Sequence, residues 1–276
     1  MNPSKPLATP EEYAAALEAL KRRVEADPAA AALAREFERI LRYESAHGLA
    51  DASDLASRLS APAVPRSRRT AVISDIHGNH DGLLAVLEDI QRQGCERIVC
   101  LGDLIEGGPD NEGVIDTLRR LGVASVRGNH DEWNDVELPQ EMRRYLLGLP
   151  EVTVEEGVVY THISPRARRR TINHAVEAWN VFDESAFRLL FVGHVHVPMI
   201  FGRRCDAYGE ARAHAFDYNR PVPLDPGDQY IVSVGSIGYG RDLVGKLRYA
   251  IHDSGSQTIE LRAIEGPLLQ LDYSRR

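Results

Sequence analysis

The sequence is poor in cysteine and contains no long apolar run. Its three cysteines, Cys95, Cys100 and Cys205, form no C-x-x-C pair, which argues against a disulfide framework or a thiolate zinc knuckle and predicts buried free thiols. No stretch approaches the roughly 20 apolar residues that cross a bilayer, so we expect no membrane-spanning segment. The polar N-terminus also lacks the features of a secretory signal, and we therefore expect a cytoplasmic protein.

The sequence also has fewer basic residues than acidic ones. The chain has 33 Lys and Arg residues against 41 Asp and Glu residues, which gives a formal net charge of -8. A surface of this sign repels a nucleic-acid backbone, so no strong nucleic-acid footprint is predicted. One arginine run, Arg166 with Arg168, Arg169 and Arg170, is predicted to face solvent, with contact to an anionic substrate as the alternative.

Three segments follow from the pattern of apolar residues. Residues 1–60 predict a helical N-terminal extension, beginning with the capping sequence Thr9-Pro10-Glu11-Glu12 and carrying amphipathic stripes. We expect these stripes to pack on the main domain or to join copies of the chain in a homo-oligomer. Residues 61–69 contain Pro62 and Pro65 and predict a linker, and residues 70–276 form the domain that carries the chemistry.

The domain begins as alternating strands and helices. Short apolar runs at 71–73, 98–101 and 123–126 are separated by helical patterns, which predicts parallel strands with helices on their faces. From Val152 onward the apolar runs predict mostly strands. The expected fold class is therefore α/β.

Polar residues follow five of the predicted strands. They are Asp75 to Asn79, Gly102-Asp103, Gly128 to Asp131, His162, and Gly193 to His196. Ligands bind at the carboxyl edge of open α/β sheets, so one rim is expected to gather these side chains. The spacing of Asp75 and His77 places both on one side of an extended backbone. Oxygen and imidazole ligands without thiolate suit Mn, Fe, Zn, Co or Ni.

The order D-x-H, G-D, G-N-H-D, H and G-H-x-H resembles the calcineurin-like metallophosphoesterase superfamily from about Thr70 to the C-terminus. The resemblance implies a four-layer αββα sandwich, in which two packed mixed sheets are flanked by helices. It also implies two divalent metal ions, with manganese as the first choice. The implied ligands are Asp75, His77 and His196 for one ion, Asn129, His162 and His194 for the other, and Asp103 as the bridge.

Ions bridged in this way generate a hydroxide that attacks phosphorus. His130 matches the family's position for the general acid that protonates the leaving group. Asp131 is the expected partner that orients the His130 imidazole or raises its basicity.

The rest of the pattern is similar to the small bacterial and archaeal phosphodiesterase group. Gly102 to Pro109 lacks the arginine of the G-D-x-V-D-R-G pattern in serine/threonine protein phosphatases. The stretch from Gly235 to Arg241 is similar to G-S-V-G-x-P-R, which makes Arg241 the first candidate for a phosphate contact. Asn79 is the second substrate-binding candidate.

The predicted function is hydrolysis of a small phosphate ester, a phosphodiester before a monoester, with a nucleotide among the candidate substrates. A serine/threonine protein phosphatase and a dinucleoside polyphosphate hydrolase are the alternatives within the enzymes. The alternative outside them is a metal-binding scaffold without catalysis, as in the retromer subunit of this superfamily; degraded ligands would favour that function, whereas every implied ligand is present here.

Overall fold

The fold is described from a computed structural model of the full chain. The described residues are Thr9, 69–155, 157–166, 170–185, 187–204, 210–242 and 245–270. The chain divides into two units, Met1–Arg66 and Ser67–Arg276, and every described residue except Thr9 lies in the second. The predicted helical extension except Thr9, and the linker except Arg69, lie outside the described residues.

The second unit contains twelve strands and five helices among its described residues. The strands are β1 (Arg69–Ile73), β2 (Arg97–Cys100), β3 (Ala124–Ser125), β4 (Val152–Glu155), β5 (Val158–Thr161), β6 (Leu189–Val192), β7 (Met199–Arg204), β8 (Arg212–Ala213), β9 (Pro221–Pro223), β10 (Asp228–Ser233), β11 (Leu247–Asp253) and β12 (Thr258–Ile264). The helices are α1 (His80–Arg92), α2 (Asn111–Arg120), α3 (Asn129–Glu132), α4 (Gln140–Gly148) and α5 (Ala175–Glu184).

The strands form two six-stranded mixed sheets. The first has the order β3-β2-β1-β11-β12-β9, and the second has the order β4-β5-β6-β10-β7-β8. As predicted, β1, β2 and β3 are parallel, and the antiparallel strands β11 and β12 extend the first sheet. In the second sheet β5, β6 and β10 are parallel, so both sheets present strand carboxyl ends where the polar motifs follow.

The two sheets pack face to face over an apolar core. Side chains from both sheets fill it, including Val72, Val99, Leu101, Phe191, Val232 and Ile259. On the outer face of the first sheet lie α1, α2 and α4, whose apolar stripes bury Leu83, Ile115 and Leu146. On the outer face of the second lies α5, which buries Val181 and Phe182. The expected four-layer αββα sandwich is therefore confirmed.

Side chains cap the two helices that follow the first strands. The Asn79 carboxamide oxygen accepts from the Gly82 amide, and an Asp110 carboxylate oxygen accepts from the Gly113 amide. Each capping residue is the last residue of a loop that follows a strand. The cap therefore fixes the position at which the loop ends and the helix begins.

Two details differ from the sequence-based expectation. Strand β1 begins at Arg69, where the guanidinium donates to the Gln93 carbonyl, so Arg69 is a strand residue and not part of a linker. Strands β7 and β8 pair antiparallel, although the apolar runs of the sequence did not mark either of them as a strand. Among the described residues, no helix combines the length and the apolar character needed to cross a membrane.

Candidate metal centre

The loops that follow five strands bring the seven predicted ligands together. One cluster contains Asp75, His77, Asp103 and His196, and a second contains Asp103, His162 and His194, with the ligand atoms of each cluster within 4.8 Å of one another. The Asn129 carboxamide oxygen lies 3.1 Å from His162 Nε2 and 3.0 Å from His194 Nδ1, so it belongs to the second cluster. Asp103 is shared between the two.

In the first cluster two imidazoles face each other through lone pairs. His77 Nδ1 donates to the Glu106 carbonyl at 2.9 Å, and His196 Nδ1 donates to the Tyr239 carbonyl at 3.1 Å. A neutral imidazole whose Nδ1 carries the proton has a lone pair at Nε2. The two Nε2 atoms lie 3.2 Å apart in a buried position. A cation held between them would satisfy both lone pairs.

The second cluster has the same character. His162 Nδ1 donates to the Leu101 carbonyl at 2.8 Å, which in the neutral ring leaves Nε2 as an acceptor. That Nε2 lies 3.0 Å from Asp103 Oδ2 and faces the Asn129 carboxamide oxygen. Asp103 Oδ2 is buried and receives no hydrogen bond from the described residues. Acceptors that converge without a donor fit a divalent cation, and their oxygen and imidazole chemistry fits the ions expected above.

The carboxylates keep the site negative. Burial by itself raises the pKa of Asp75 and of Asp103, but the neighbouring imidazoles hold both pKa values below the ordinary range. Burial lowers the pKa of His77 and of His194. For His162 burial also opposes the charge, but the attraction of the Asp103 carboxylate raises its pKa to about 9.

The backbone at the site is left-handed. Asp75, His77, Asp103, His194 and His196 have φ angles between 53° and 69°, and Glu106 has a φ angle of 74°. Non-glycine residues in this region are uncommon, and such strain concentrates at functional sites. The spacing of Asp75 and His77 predicted an extended backbone, and this prediction is wrong. The direction of these side chains is set by the turns after β1 and β6 and not by the alternation of side chains along a strand.

Two glycines allow loops of the site to approach one another. A Cβ on Gly128 would clash with Asp103, and a Cβ on Gly193 would clash with Ser74 and Asp75. Each position therefore requires glycine for space and not for a special φ angle.

Asp131 does not orient the His130 imidazole. Its buried carboxylate accepts hydrogen bonds from the backbone amides of Asp103, Leu104 and Gly128 at 2.8–2.9 Å. Burial raises the pKa of Asp131 to about 6, aided by the nearby Asp103 charge and opposed by these amides. The predicted catalytic contact of Asp131 is corrected: this side chain holds the loop that carries Asp103.

Glu106 takes the place predicted for Asp131. One of its carboxylate oxygens lies 2.8 Å from His130 Nδ1, and both side chains are 39% exposed. Its carbonyl also receives the hydrogen bond from His77. Sequence reasoning missed Glu106, although it stands three residues after Asp103 in the loop already identified.

The substrate-binding candidates have different surroundings. Asn79 is buried, its carboxamide nitrogen donates to the carbonyls of Ile237 and Pro267, and its oxygen accepts from Gly82. These bonds leave no free donor and argue against the expected substrate contact. Arg241 is exposed and forms no ion pair with a described residue. Arg166 of the arginine run is bound to Glu184 through two nitrogens, at 2.6 and 2.5 Å.

The chain is similar to known phosphoesterases. The profile of the calcineurin-like phosphoesterase family matches residues 68–198. The crystal structure of a metallophosphoesterase from Sphaerobacter thermophilus matches with a TM-score of 0.65 at 28% identity, over 73% of this chain and 89% of that one.

Two curated relatives share parts of the sequence. An uncharacterized protein of Methanocaldococcus jannaschii is 28% identical over 226 residues, which cover 71% of this chain and 86% of the relative. Serine/threonine-protein phosphatase 1 of Salmonella typhimurium is 36% identical over 153 residues, which cover 55% of this chain and 60% of that protein.

Proposed function

We propose that this chain is a metal-dependent enzyme that hydrolyses phosphodiesters at a dinuclear site, because its residues 68–198 match the profile of the calcineurin-like phosphoesterase family. The observation that carries the proposal is the buried Asp103 carboxylate, shared by two clusters whose lone pairs face one another. A single carboxylate between two such clusters is what a bridged pair of ions requires. Manganese as the native ion and a cytoplasmic location stay predictions of the sequence.

The residues divide into two sets that would each hold one ion. Asp75, His77 and His196 would hold one ion, Asn129, His162 and His194 the other, and Asp103 would join them. When bound, two such ions supply an activated water and the positive charge that stabilises in-line attack on phosphorus. The carbonyls of Glu106, Tyr239 and Leu101 keep three imidazoles in the tautomer that presents Nε2.

His130 would supply the leaving-group proton. Its ring lies edge-on to His77, with centroids 5.0 Å apart, so it stands beside the first cluster. Nδ1 is engaged by Glu106, which leaves Nε2 to deliver a proton to the departing ester oxygen. The Glu106 carboxylate, which accepts from Nδ1, orients the ring for this step.

Arg241 would bind the substrate phosphate. Its side chain is exposed, and it lies in the loop whose Tyr239 carbonyl holds His196. A guanidinium offers two parallel donors to a phosphate. Gly107 follows Glu106 where serine/threonine protein phosphatases carry arginine, which supports a phosphodiester substrate over a phosphoprotein.

A protein phosphatase is the second candidate function. The similarity to the Salmonella typhimurium phosphatase favours it. The ratio of activity on a diester to activity on a phosphopeptide discriminates the two. A dinucleoside polyphosphate, the further alternative, belongs in the same substrate panel.

The first experiment measures hydrolysis of bis-p-nitrophenyl phosphate and p-nitrophenyl phosphate with added manganese. We expect turnover by the intact chain, none by Asp103→Asn, a large loss in His130→Ala, and no change in Asp116→Asn. Asp116 is an exposed carboxylate on α2 and serves as the matched control. Metal content is measured on each protein. Stoichiometric metal binding without turnover of any ester would favour the scaffold alternative and overturn the enzymatic function.

A further inference from the structure

Tyr239 lies against the first cluster without being one of its ligands. Its ring centroid is 5.2 Å from that of His77 and 6.2 Å from that of His196, and it stacks nearly parallel to His196. The same His77 ring contacts His130. Tyr239 therefore contacts two of the predicted ligands, and one of them, His77, also contacts the candidate acid.

The backbone around Tyr239 is fixed by a buried hydroxyl. Ser236 Oγ donates to the Asp75 carbonyl at 2.8 Å and accepts from the amides of Gly238 and Tyr239 at 3.0 and 2.9 Å. The Gly238 amide also donates to the Asp75 carbonyl. The loop that carries Tyr239 is thus attached directly to the backbone of a ligand, which holds the aromatic ring in place.

The phenol hydroxyl lies over Gly107. A Cβ on Gly107 would clash with it, and Gly107 has a φ angle of 126°. Within the described part of the chain, no group donates to the Tyr239 hydroxyl or accepts from it. The side chain is half-buried. A positioned hydroxyl with an unused proton, beside a site for an oxyanion, is suited to bind that oxyanion.

We propose that Tyr239 is a substrate-binding residue whose hydroxyl donates a hydrogen bond to a non-bridging oxygen of the bound phosphate. This inference rests on the proposed function. Arg241, two residues further along the same loop, contributes the second donor. The ring covers the His77 and His196 imidazoles, and the hydroxyl makes the phosphate contact. A phosphate group held by both donors is oriented over the two clusters before the reaction.

The test is titration of the full-length, manganese-loaded chain with orthophosphate by isothermal titration calorimetry. We expect Tyr239→Phe to weaken orthophosphate binding about tenfold, because it removes one hydrogen bond to a charged group. Manganese content and the unfolding midpoint should not change, because the ring remains. Tyr145→Phe removes a hydroxyl on α4 and is the matched control.

A Tyr239→Ala variant separates the hydroxyl from the ring. A purely packing role for Tyr239 would weaken phosphate binding or metal content in Tyr239→Ala and leave Tyr239→Phe equal to the wild type, which would overturn the inference. Failure of the intact chain to bind orthophosphate would overturn it as well. Because binding is measured without turnover, a chain that binds phosphate through Tyr239 but hydrolyses no ester would refute only the proposed function.

Discussion

Glu106 Oε2 lies 2.8 Å from His130 Nδ1, and the two half-exposed side chains form a pair beside the buried metal ligands. The Glu106 carbonyl at the same time holds His77, so one residue orients both a ligand and the candidate acid. Its left-handed backbone lets the carbonyl and the side chain point to these two different rings. The pair therefore couples the proton donor to the geometry of the first cluster.

Glu106→Gln should lower kcat about 10- to 100-fold while metal content stays at the wild-type value. Glutamine still accepts a hydrogen bond from His130, but a neutral acceptor binds the ring more weakly than a carboxylate does and orients it less firmly. The measurement is the pH dependence of kcat for bis-p-nitrophenyl phosphate. Glu137→Gln changes an exposed glutamate and is the control. An unchanged kcat across the pH range would refute a role for this pair in proton transfer.

Asp131→Asn should weaken metal binding and leave kcat close to normal at saturating manganese. The carboxylate accepts from three backbone amides, and asparagine would turn a donor toward one of them. The loop that carries Asp103 would then loosen, with an expected loss in metal affinity of about 10- to 100-fold. Metal titration measures this, with the exposed Asp135→Asn as control. Normal metal affinity combined with a lost kcat would instead restore the catalytic role first assigned to Asp131.

Arg241→Ala should raise KM for a diester about tenfold with little change in kcat. Arg241 is exposed, so its removal should not alter stability, and it is expected to bind the phosphate equally in the ground state and the transition state. Steady-state kinetics measures the effect. Arg220→Ala, which removes another exposed arginine, is the control. Equal KM values for the Arg241→Ala and Arg220→Ala variants would remove Arg241 from the substrate site.

Asp242→Ala should destabilise the fold by about 3–5 kcal/mol. Arg248 is fully buried, and its guanidinium donates to Asp242 Oδ2 at 2.8 and 2.5 Å. The Tyr218 hydroxyl donates to the same oxygen, and the Tyr218 ring lies 4.5 Å from the guanidinium carbon. Removing the carboxylate leaves a buried charge without its partner. Urea unfolding gives the value, and the double variant with Arg248→Met should lose less. A single variant as stable as the wild type would contradict this.

The free energy of unfolding should decrease as pH falls from about 6.5 to about 4, in part through His252. Burial, followed by the charge of Arg188, lowers the pKa of His252 from 6.5 to about 4, and its Nε2 receives no hydrogen bond from the described residues. The unfolded chain thus binds the proton first, so stability is lost on acidification, by on the order of 3 kcal/mol for this group. Denaturant unfolding of His252→Phe should show a flatter pH dependence, whereas the exposed His174→Gln should not. If the free energy of unfolding depends on pH equally in His252→Phe and the wild type, the proposed contribution of His252 is wrong.

Much of the domain could be predicted because its signals are local. The apolar runs before Asp75, Asp103 and His194 are β1, β2 and β6, and their uninterrupted apolar residues made them recognisable as strands covered on both faces. Strand β7 was missed because its six residues include Gly202 and two arginines, Arg203 and Arg204, which interrupt the apolar pattern.

The sequence alone determined which residue types stand at the ends of the strands. Since parallel strands present their carboxyl ends at one edge, it also predicted that these residues gather at one rim. Only the tertiary structure decided that Glu106 and not Asp131 binds His130, and that Asn79 is occupied by Ile237 and Pro267. Those contacts join residues up to 188 positions apart and depend on left-handed loop backbones. Neither strand periodicity nor motif spacing specifies these angles, because the loops acquire them only when the two sheets pack together.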